Sequence, residues 1–129
     1  MYIYSTTIRL QDTDAAGVMF YSSLFRHIHD SYEDFLLDAG LSIRSLIEDR
    51  PYALPIVHAE ANYLSPIKLG DQIDIQLSLK SRNLHSFTLQ YILINEQAQK
   101  VATAETVHVA IDKQSGNKTD LPAILNELF

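Results

Sequence analysis

The sequence contains no cysteine, which excludes cysteine nucleophiles, disulfide scaffolds, iron–sulfur clusters and cysteine-ligated zinc. Basic residues are also few. Lys and Arg number 10 against 16 Asp and Glu, a formal net charge of -6, and no stretch concentrates them as a polyanion-binding face requires. Nucleic acid is therefore not expected as a partner. No apolar run approaches the roughly 20 residues of a membrane span, and Met1-Tyr2-Ile3-Tyr4-Ser5-Thr6 lacks a basic region leading into an apolar core. The expected location is the cytoplasm, away from membranes. Internal repeats, linkers and low-complexity segments are absent too, so residues 1–129 read as one ordinary domain, 47% hydrophobic and 20% charged. A chain of this size buries roughly two-thirds of its unfolded surface without disulfides or structural metal, and a small globule often covers leftover apolar surface by oligomerising.

Tyr2 to Leu10 is rich in β-branched and aromatic residues and reads as a strand. It runs into Gln11-Asp12-Thr13-Asp14-Ala15-Ala16-Gly17, a turn composition directly ahead of a helical pattern. From about Ser22 to Ala39 the apolar residues Phe25, Ile28, Tyr32, Phe35, Leu36 and Ala39 recur every three or four positions, with charged residues opposite. This predicts one long amphipathic helix, capped by Ser22 or Ser23 and terminated by Gly40. A weaker helical stretch from Ser42 to Asp49 stops before Pro51. Ile56 to Leu64 is a candidate strand, and Gln72 to Lys80 alternates with Ile73, Ile75, Leu77 and Leu79 on one face. Phe87 to Asn95 and Val101 to Asp112 are two more long strands, for which an antiparallel meander is the simplest topology. Ser115-Gly116-Asn117 is a turn, and Asp120-Leu121-Pro122 introduces a short helix through Phe129. The pattern is α+β, with one sheet able to wrap one central helix. Sheet edges of such length need protection, and pairing them across a two-fold axis is a common solution.

The segment richest in chemistry is Asp12-Thr13-Asp14-Ala15-Ala16-Gly17-Val18-Met19-Phe20-Tyr21. A carboxylate on a glycine-containing loop just before a helix stands beside free backbone N–H groups at the positive end of the helix dipole. Such a carboxylate can attack a carbonyl or activate water while the N–H groups stabilise the oxyanion, a combination suited to acyl transfer. On the residues alone, an Asp in this place is more often a turn or cap residue.

That segment, followed by His29-Asp30-Ser31-Tyr32-Glu33 on the helix, resembles the hot-dog-fold acyl-CoA thioesterases of the 4-hydroxybenzoyl-CoA thioesterase class. A second block, Tyr52-Ala53-Leu54-Pro55-Ile56-Val57-His58-Ala59 with Pro66 and Gly70-Asp71, resembles the branch acting on 1,4-dihydroxy-2-naphthoyl-CoA in phylloquinone and menaquinone synthesis. The resemblance spans nearly the whole chain. It implies a hot-dog fold, a long central helix wrapped by a five-stranded antiparallel sheet, in a homodimer or homotetramer that hydrolyses an aromatic acyl-CoA without cofactor or metal. By position it implies Asp14 as the catalytic carboxylate and the backbone N–H of Tyr21 as the oxyanion contact, with Gly17, Phe25, His29 and His58 toward the substrate. Asp12 receives no chemical role. The class places an acidic residue where this chain has His29. A thioester is a feasible target for a carboxylate and an oxyanion site alone, because its thiolate leaves readily.

Other residues carry less. His27, His29, Asp30 and Glu33 offer ligand types at helical spacing, but His-Asp metal sites of that kind belong to wholly helical domains. His58 on a strand is more often packed or hydrogen-bonded than catalytic. His85 falls in a turn and His108 on a strand, neither with a partner pattern. Tyr2, Tyr4, Phe20, Tyr21 and Phe25 read first as core, and only Tyr21 acquires a functional reading by its place at the helix start. Lys68, Lys80, Arg82 and Lys118 are isolated surface charges. The alternatives to an aromatic acyl-CoA hydrolase are a thioesterase for short or medium acyl chains on coenzyme A or a carrier protein, and a non-catalytic acyl-binding protein. A carboxylate aimed at the carbonyl separates hydrolase from binder.

Overall fold

Alternation of apolar and polar residues lays down three long strands, and in the computed structural model, which describes residues 1–128, they form the middle of one sheet. The strands are β1 (Tyr2–Thr7), β2 (Tyr52–Ala53), β3 (Ile56–Tyr63), β4 (Gln72–Arg82), β5 (Ser86–Ile94), β6 (Lys100–Val109) and β7 (Ile111–Asp112). The helices are α1 (Ser23–Asp38), α2 (Ile43–Glu48) and α3 (Ala123–Leu128). The five-stranded sheet has the order β1-β4-β5-β6-β3, with every neighbouring pair antiparallel. The meander expectation holds for β4-β5-β6. It fails for β3, which pairs with β6 at the far edge, so the connection after β3 crosses the sheet before β4 begins.

Ile73, Ile75, Leu77, Phe87, Leu89, Tyr91, Leu93, Ala102 and Ala104 point inward from the sheet and are buried with Leu24, Ile28, Tyr32 and Leu36 of α1 in one core cluster. Those four helix residues recur at i, i+4, which places them in one row facing the sheet. The helix lies across the concave face, as the resemblance implied. Gly40, at φ +90, ends α1 in the left-handed region, where glycine meets no Cβ penalty. The expected serine cap is absent. Ser22 is itself helical (φ -76, ψ -18) and makes no side-chain cap bond, because a turn from Phe20 to Ser23 already carries the chain into helical geometry.

Two boundaries differ from the sequence expectation. The first strand stops at Thr7, since Leu10–Asp12 winds into a short 3-10 turn. The last strand breaks at Ala110, and Ile111–Asp112 leaves the main sheet to pair with Tyr52–Ala53. The C-terminal helix is observed from Ala123 to Leu128, and its expected last residue, Phe129, lies outside the described residues. No helix among the described residues is long and apolar enough to cross a membrane.

Candidate active site

Asp14 sits on a loop built from backbone hydrogen bonds. Its N–H donates to the Val18 carbonyl (3.0 Å), the Gly17 N–H donates to the Asp14 carbonyl (3.0 Å), and the Ala16 N–H donates to Asp14 Oδ1 (2.8 Å). Gly17 closes this turn at φ +76, a conformation that side chains disfavour. Thr13 bridges to Met19 within the loop, and Val18 bridges to Lys68 on the connection after β3. Further bonds run from Met19 N–H to the Ile67 carbonyl (2.7 Å) and from Leu69 N–H to the Gly17 carbonyl (3.0 Å). The carboxylate itself is exposed.

Asp14 borders a cavity of about 580 Å³ whose other walls include Met19, Phe20 and Tyr21 from the approach to α1 and Tyr63, Leu64 and Pro66 from the end of β3. The hydroxyl of Tyr63 donates to the Tyr21 carbonyl, fixing the helix start against the strand end. The Tyr21 N–H takes no acceptor among the described residues, which leaves a free backbone donor ahead of the positive end of α1. Phe20 and Tyr21 are exposed at 46% and 65%, which overturns the core reading of Phe20 and leaves both rings at the cavity mouth.

Asp12, two residues earlier, has an opposite environment. It is fully buried, accepts from Arg9 N–H at 2.8 Å, forms an ion pair with Arg26, and takes His27 Nε2 at 3.0 Å. His27 Nδ1 lies 3.2 Å from the Thr6 hydroxyl. Burial, then the neighbouring Arg26 guanidinium, hold the His27 imidazole below its ordinary pKa, against a smaller opposing pull from Asp30. A neutral ring donating from Nε2 to Asp12 and accepting from Thr6 at Nδ1 satisfies every group. The Asp12 carbonyl accepts from Phe20 N–H at 2.8 Å, so Asp12 ties the Asp14 loop to the start of α1. Sequence reasoning gave it no role, and its only signal was a second acid in a turn.

The remaining expected site residues divide. Phe25 and His29 border a second cavity, of about 430 Å³, between α1 and the sheet, together with Ile28, Ile56, Ala59, Tyr91 and Thr106. Phe25 and His29 are spaced i, i+4 on α1, about 6 Å apart along its axis, and Tyr21 on the turn just ahead of the helix borders the first cavity. Gly17 shapes the loop without lining either cavity. His58 does not join them. A bulge between Ile56 and His58 turns Ile56 and Ala59 toward the helix, while His58 pairs with Val107 on the outer face and lies 3.6 Å from Glu60. His85 binds the Thr119 carbonyl region at 3.0 Å, and no group of metal-ligand residues exists among the described residues.

A buried polar chain behind the second cavity was not anticipated. Tyr91 OH lies 2.9 Å from Thr106 Oγ1, which lies 2.8 Å from His108 Nε2. His108 is fully buried, stacked on Phe87 at 4.7 Å and 3° and in ring contact with Tyr32 at 4.5 Å. Burial, reinforced by His29, pushes its imidazole down to about 4 against a small opposing influence of the Leu54 backbone. Thr106 and His108 follow Ala102 and Ala104 on the buried face of β6, and polar residues on that period-two stripe were the available signal.

A family model described as the thioesterase-like superfamily matches residues 8–129. A 1,4-dihydroxy-2-naphthoyl-CoA hydrolase of Picosynechococcus sp. is 37% identical over 129 residues, covering 96% of this chain and 88% of the relative. The enzyme of the same name from Rippkaea orientalis is 39% identical over 120 residues, covering 92% and 87%. The crystal structure of a 1,4-dihydroxy-2-naphthoyl-CoA thioesterase from Synechocystis superposes with a TM-score of 0.92 at 32% identity, covering 97% of this chain and 92% of that one.

Proposed function

The chain belongs to the thioesterase-like superfamily, and from that premise we propose that it hydrolyses an aromatic acyl-CoA thioester, 1,4-dihydroxy-2-naphthoyl-CoA above others. The observation that carries the chemistry is the pairing of Asp14 with the unclaimed Tyr21 N–H on one cavity. With the thioester oxygen on that N–H, Asp14 serves as nucleophile or as the base that takes a proton from water. An oxygen adds to the carbonyl carbon, the C–S bond breaks, and coenzyme A leaves as a thiolate that is then protonated. Hydrolysis through water yields the free acid directly, and a covalent route adds one hydrolysis of the acyl–Asp14 anhydride. The acyl ring lies along Tyr21, Phe25 and His29, where His29 meets a ring hydroxyl and Phe25 supplies an apolar wall.

The proposal includes a cytoplasmic homodimer or homotetramer. Among the described residues strand β3 pairs only with β6, leaving its other edge open, and Ile56, Val57, Tyr63 and Leu64 along it are exposed. Unpaired strand edges with apolar side chains favour pairing with a second copy. Tyr63 and Leu64 also wall the Asp14 cavity, so edge pairing along β3 would bring a partner chain to its border.

The test is release of free thiol from 1,4-dihydroxy-2-naphthoyl-CoA, 2-naphthoyl-CoA and decanoyl-CoA by wild-type protein, with sedimentation at assay concentration. Preference for the dihydroxylated ring by a dimer or tetramer supports the reading. Faster hydrolysis of decanoyl-CoA would refute the aromatic substrate while leaving thioester hydrolysis intact, and a fully active monomer would refute the assembly.

A further inference from the structure

The two buried polar networks of this protein differ in what lies beside them. Thr6, His27, Asp12 and Arg26 satisfy one another through complementary donors and acceptors. The Tyr91–Thr106–His108 chain ends against open space, since Tyr91 and Thr106 both line the cavity between α1 and the sheet. The helix side of that wall carries Phe25, Arg26, Ile28, His29 and Asp30, while the sheet side is Ile56, Ala59, Tyr91 and Thr106, so the two hydroxyls are the polar groups that the sheet contributes. The fold does not require them, because replacing hydrogen-bonded polar partners by apolar groups of the same shape is often neutral for stability.

Proton counting shows what this chain offers. Tyr91, Thr106 and a neutral His108 carry one hydrogen each and share two hydrogen bonds. When His108 carries its proton on Nε2, that N–H donates to Thr106, Thr106 donates to Tyr91, and the Tyr91 O–H is left to donate into the cavity. When the proton is on Nδ1, both bonds reverse and the Tyr91 oxygen is left to accept. His108 Nδ1 makes no hydrogen bond of full geometry among the described residues, and the Leu54 backbone exerts only the smallest of the influences on the ring, so both tautomers remain open. The cavity end is therefore a donor or an acceptor as its ligand demands, which matches a phenolic hydroxyl, itself able to be either.

Resting on the reading of the preceding subsection, we propose that the Tyr91 and Thr106 hydroxyls, wired to buried His108, read a ring hydroxyl of the aromatic acyl group and set the preference for hydroxylated over unsubstituted rings. The position suits this role. An acyl carbon held at Tyr21, just ahead of α1, directs its ring toward Phe25 on the first turn of the helix, and Phe25 borders the second cavity. The cavity volume of about 430 Å³ falls in the range of small-molecule sites. Tyr91 and Thr106 act on the substrate far from the bond that breaks, so they determine specificity and take no part in the proton transfers of hydrolysis.

The experiment compares Tyr91→Phe, Thr106→Val and Thr106→Ser with wild type on 1,4-dihydroxy-2-naphthoyl-CoA and 2-naphthoyl-CoA, and measures calorimetric binding of the two free acids. The ratio of kcat/KM for the hydroxylated over the bare ring is expected to fall about tenfold or more in Tyr91→Phe and Thr106→Val. Thr106→Ser, which keeps the hydroxyl, is expected to retain most of the ratio. Binding of 1,4-dihydroxy-2-naphthoate should weaken by a similar factor relative to 2-naphthoate. An unchanged ratio, or equal losses on both rings with no rescue by serine, overturns the proposal, and Tyr91→Phe decides the matter if Thr106→Val fails to fold. Should wild type hydrolyse neither aromatic thioester, the functional reading fails by itself, and the acid-binding comparison still decides whether these hydroxyls read a phenol.

Discussion

Asp12 and Asp14 share a side chain and are separated by one residue, yet the fold uses them in opposite ways. Asp12 is sealed from solvent and held by the Arg9 backbone, Arg26 and His27, with its own carbonyl gripping the residue before Tyr21. The Asp14 carboxylate, among the described residues, bonds only the Ala16 N–H of its own turn, with one oxygen, and borders an open cavity. A carboxylate whose bonds are all internal stabilises structure, whereas one with an uncommitted oxygen is free to do chemistry. The difference teaches that motif proximity is a poor guide to role, and that the partners of each oxygen decide it.

The sharpest way to break this comparison is to remove the carboxylates in turn. Asp14→Ala should lower kcat/KM by roughly 10² or more, about 3 kcal/mol of transition-state stabilisation, while the melting temperature stays within a few degrees of wild type. Wild-type turnover by the folded variant would end the proposed mechanism. Asp12→Ala should act on stability first, costing about 2–3 kcal/mol in denaturant unfolding, because it leaves Arg9 N–H and His27 without their acceptor while Arg26 can still turn to water. An Asp12→Ala protein as stable as wild type, with activity as low as Asp14→Ala, would reverse the two roles.

Acidification sharpens the contrast further. His27 and His108 both titrate below their ordinary range when folded, so the unfolded chain takes up protons first as pH falls. Their contribution is full above about pH 6.5 and declines toward pH 4, and His108 alone accounts for about 2 kcal/mol between pH 7 and pH 5. Urea unfolding across that window should show the same slope in Asp14→Asn as in wild type and a shallower one in His108→Gln. The smallest of these effects concerns the ring. His29→Ala should reduce discrimination between hydroxylated and unsubstituted aromatic thioesters by about 1 kcal/mol, seen as a changed ratio of kcat/KM, and equal losses on both would make His29 a general contact.

Much of the architecture was legible because it rests on periodicity. Ile73, Ile75, Leu77 and Leu79 announced β4 and its inner face, and Gly40 announced the end of α1. The crossing of the sheet between β3 and β4 was not legible, since strand neighbours depend on long-range pairing that no local spacing encodes. Asp14 and Tyr21 were reached through resemblance and are brought together on one cavity. His58 stands apart from both cavities for a physical reason: one extra residue in a bulge exchanges the faces of a strand, and nothing in Ile56-Val57-His58 signals it. His108 taken alone shows no partner pattern, and its bond to Thr106, two residues earlier on the same buried face, emerges only once β6 is folded.

The Asp14 loop is held from both sides. It is stitched within itself through Thr13–Met19 and Asp14–Val18, and to the crossover after β3 through Met19–Ile67 and Leu69–Gly17. A free loop of this kind would have to be ordered each time substrate arrived, at about 1–2 kcal/mol per residue fixed. Here that conformational entropy is surrendered once, when the chain folds, and the carboxylate waits in place. The barrier to hydrolysis should accordingly be mostly enthalpic, rising from bond-making at the carbonyl and owing little to loop closure.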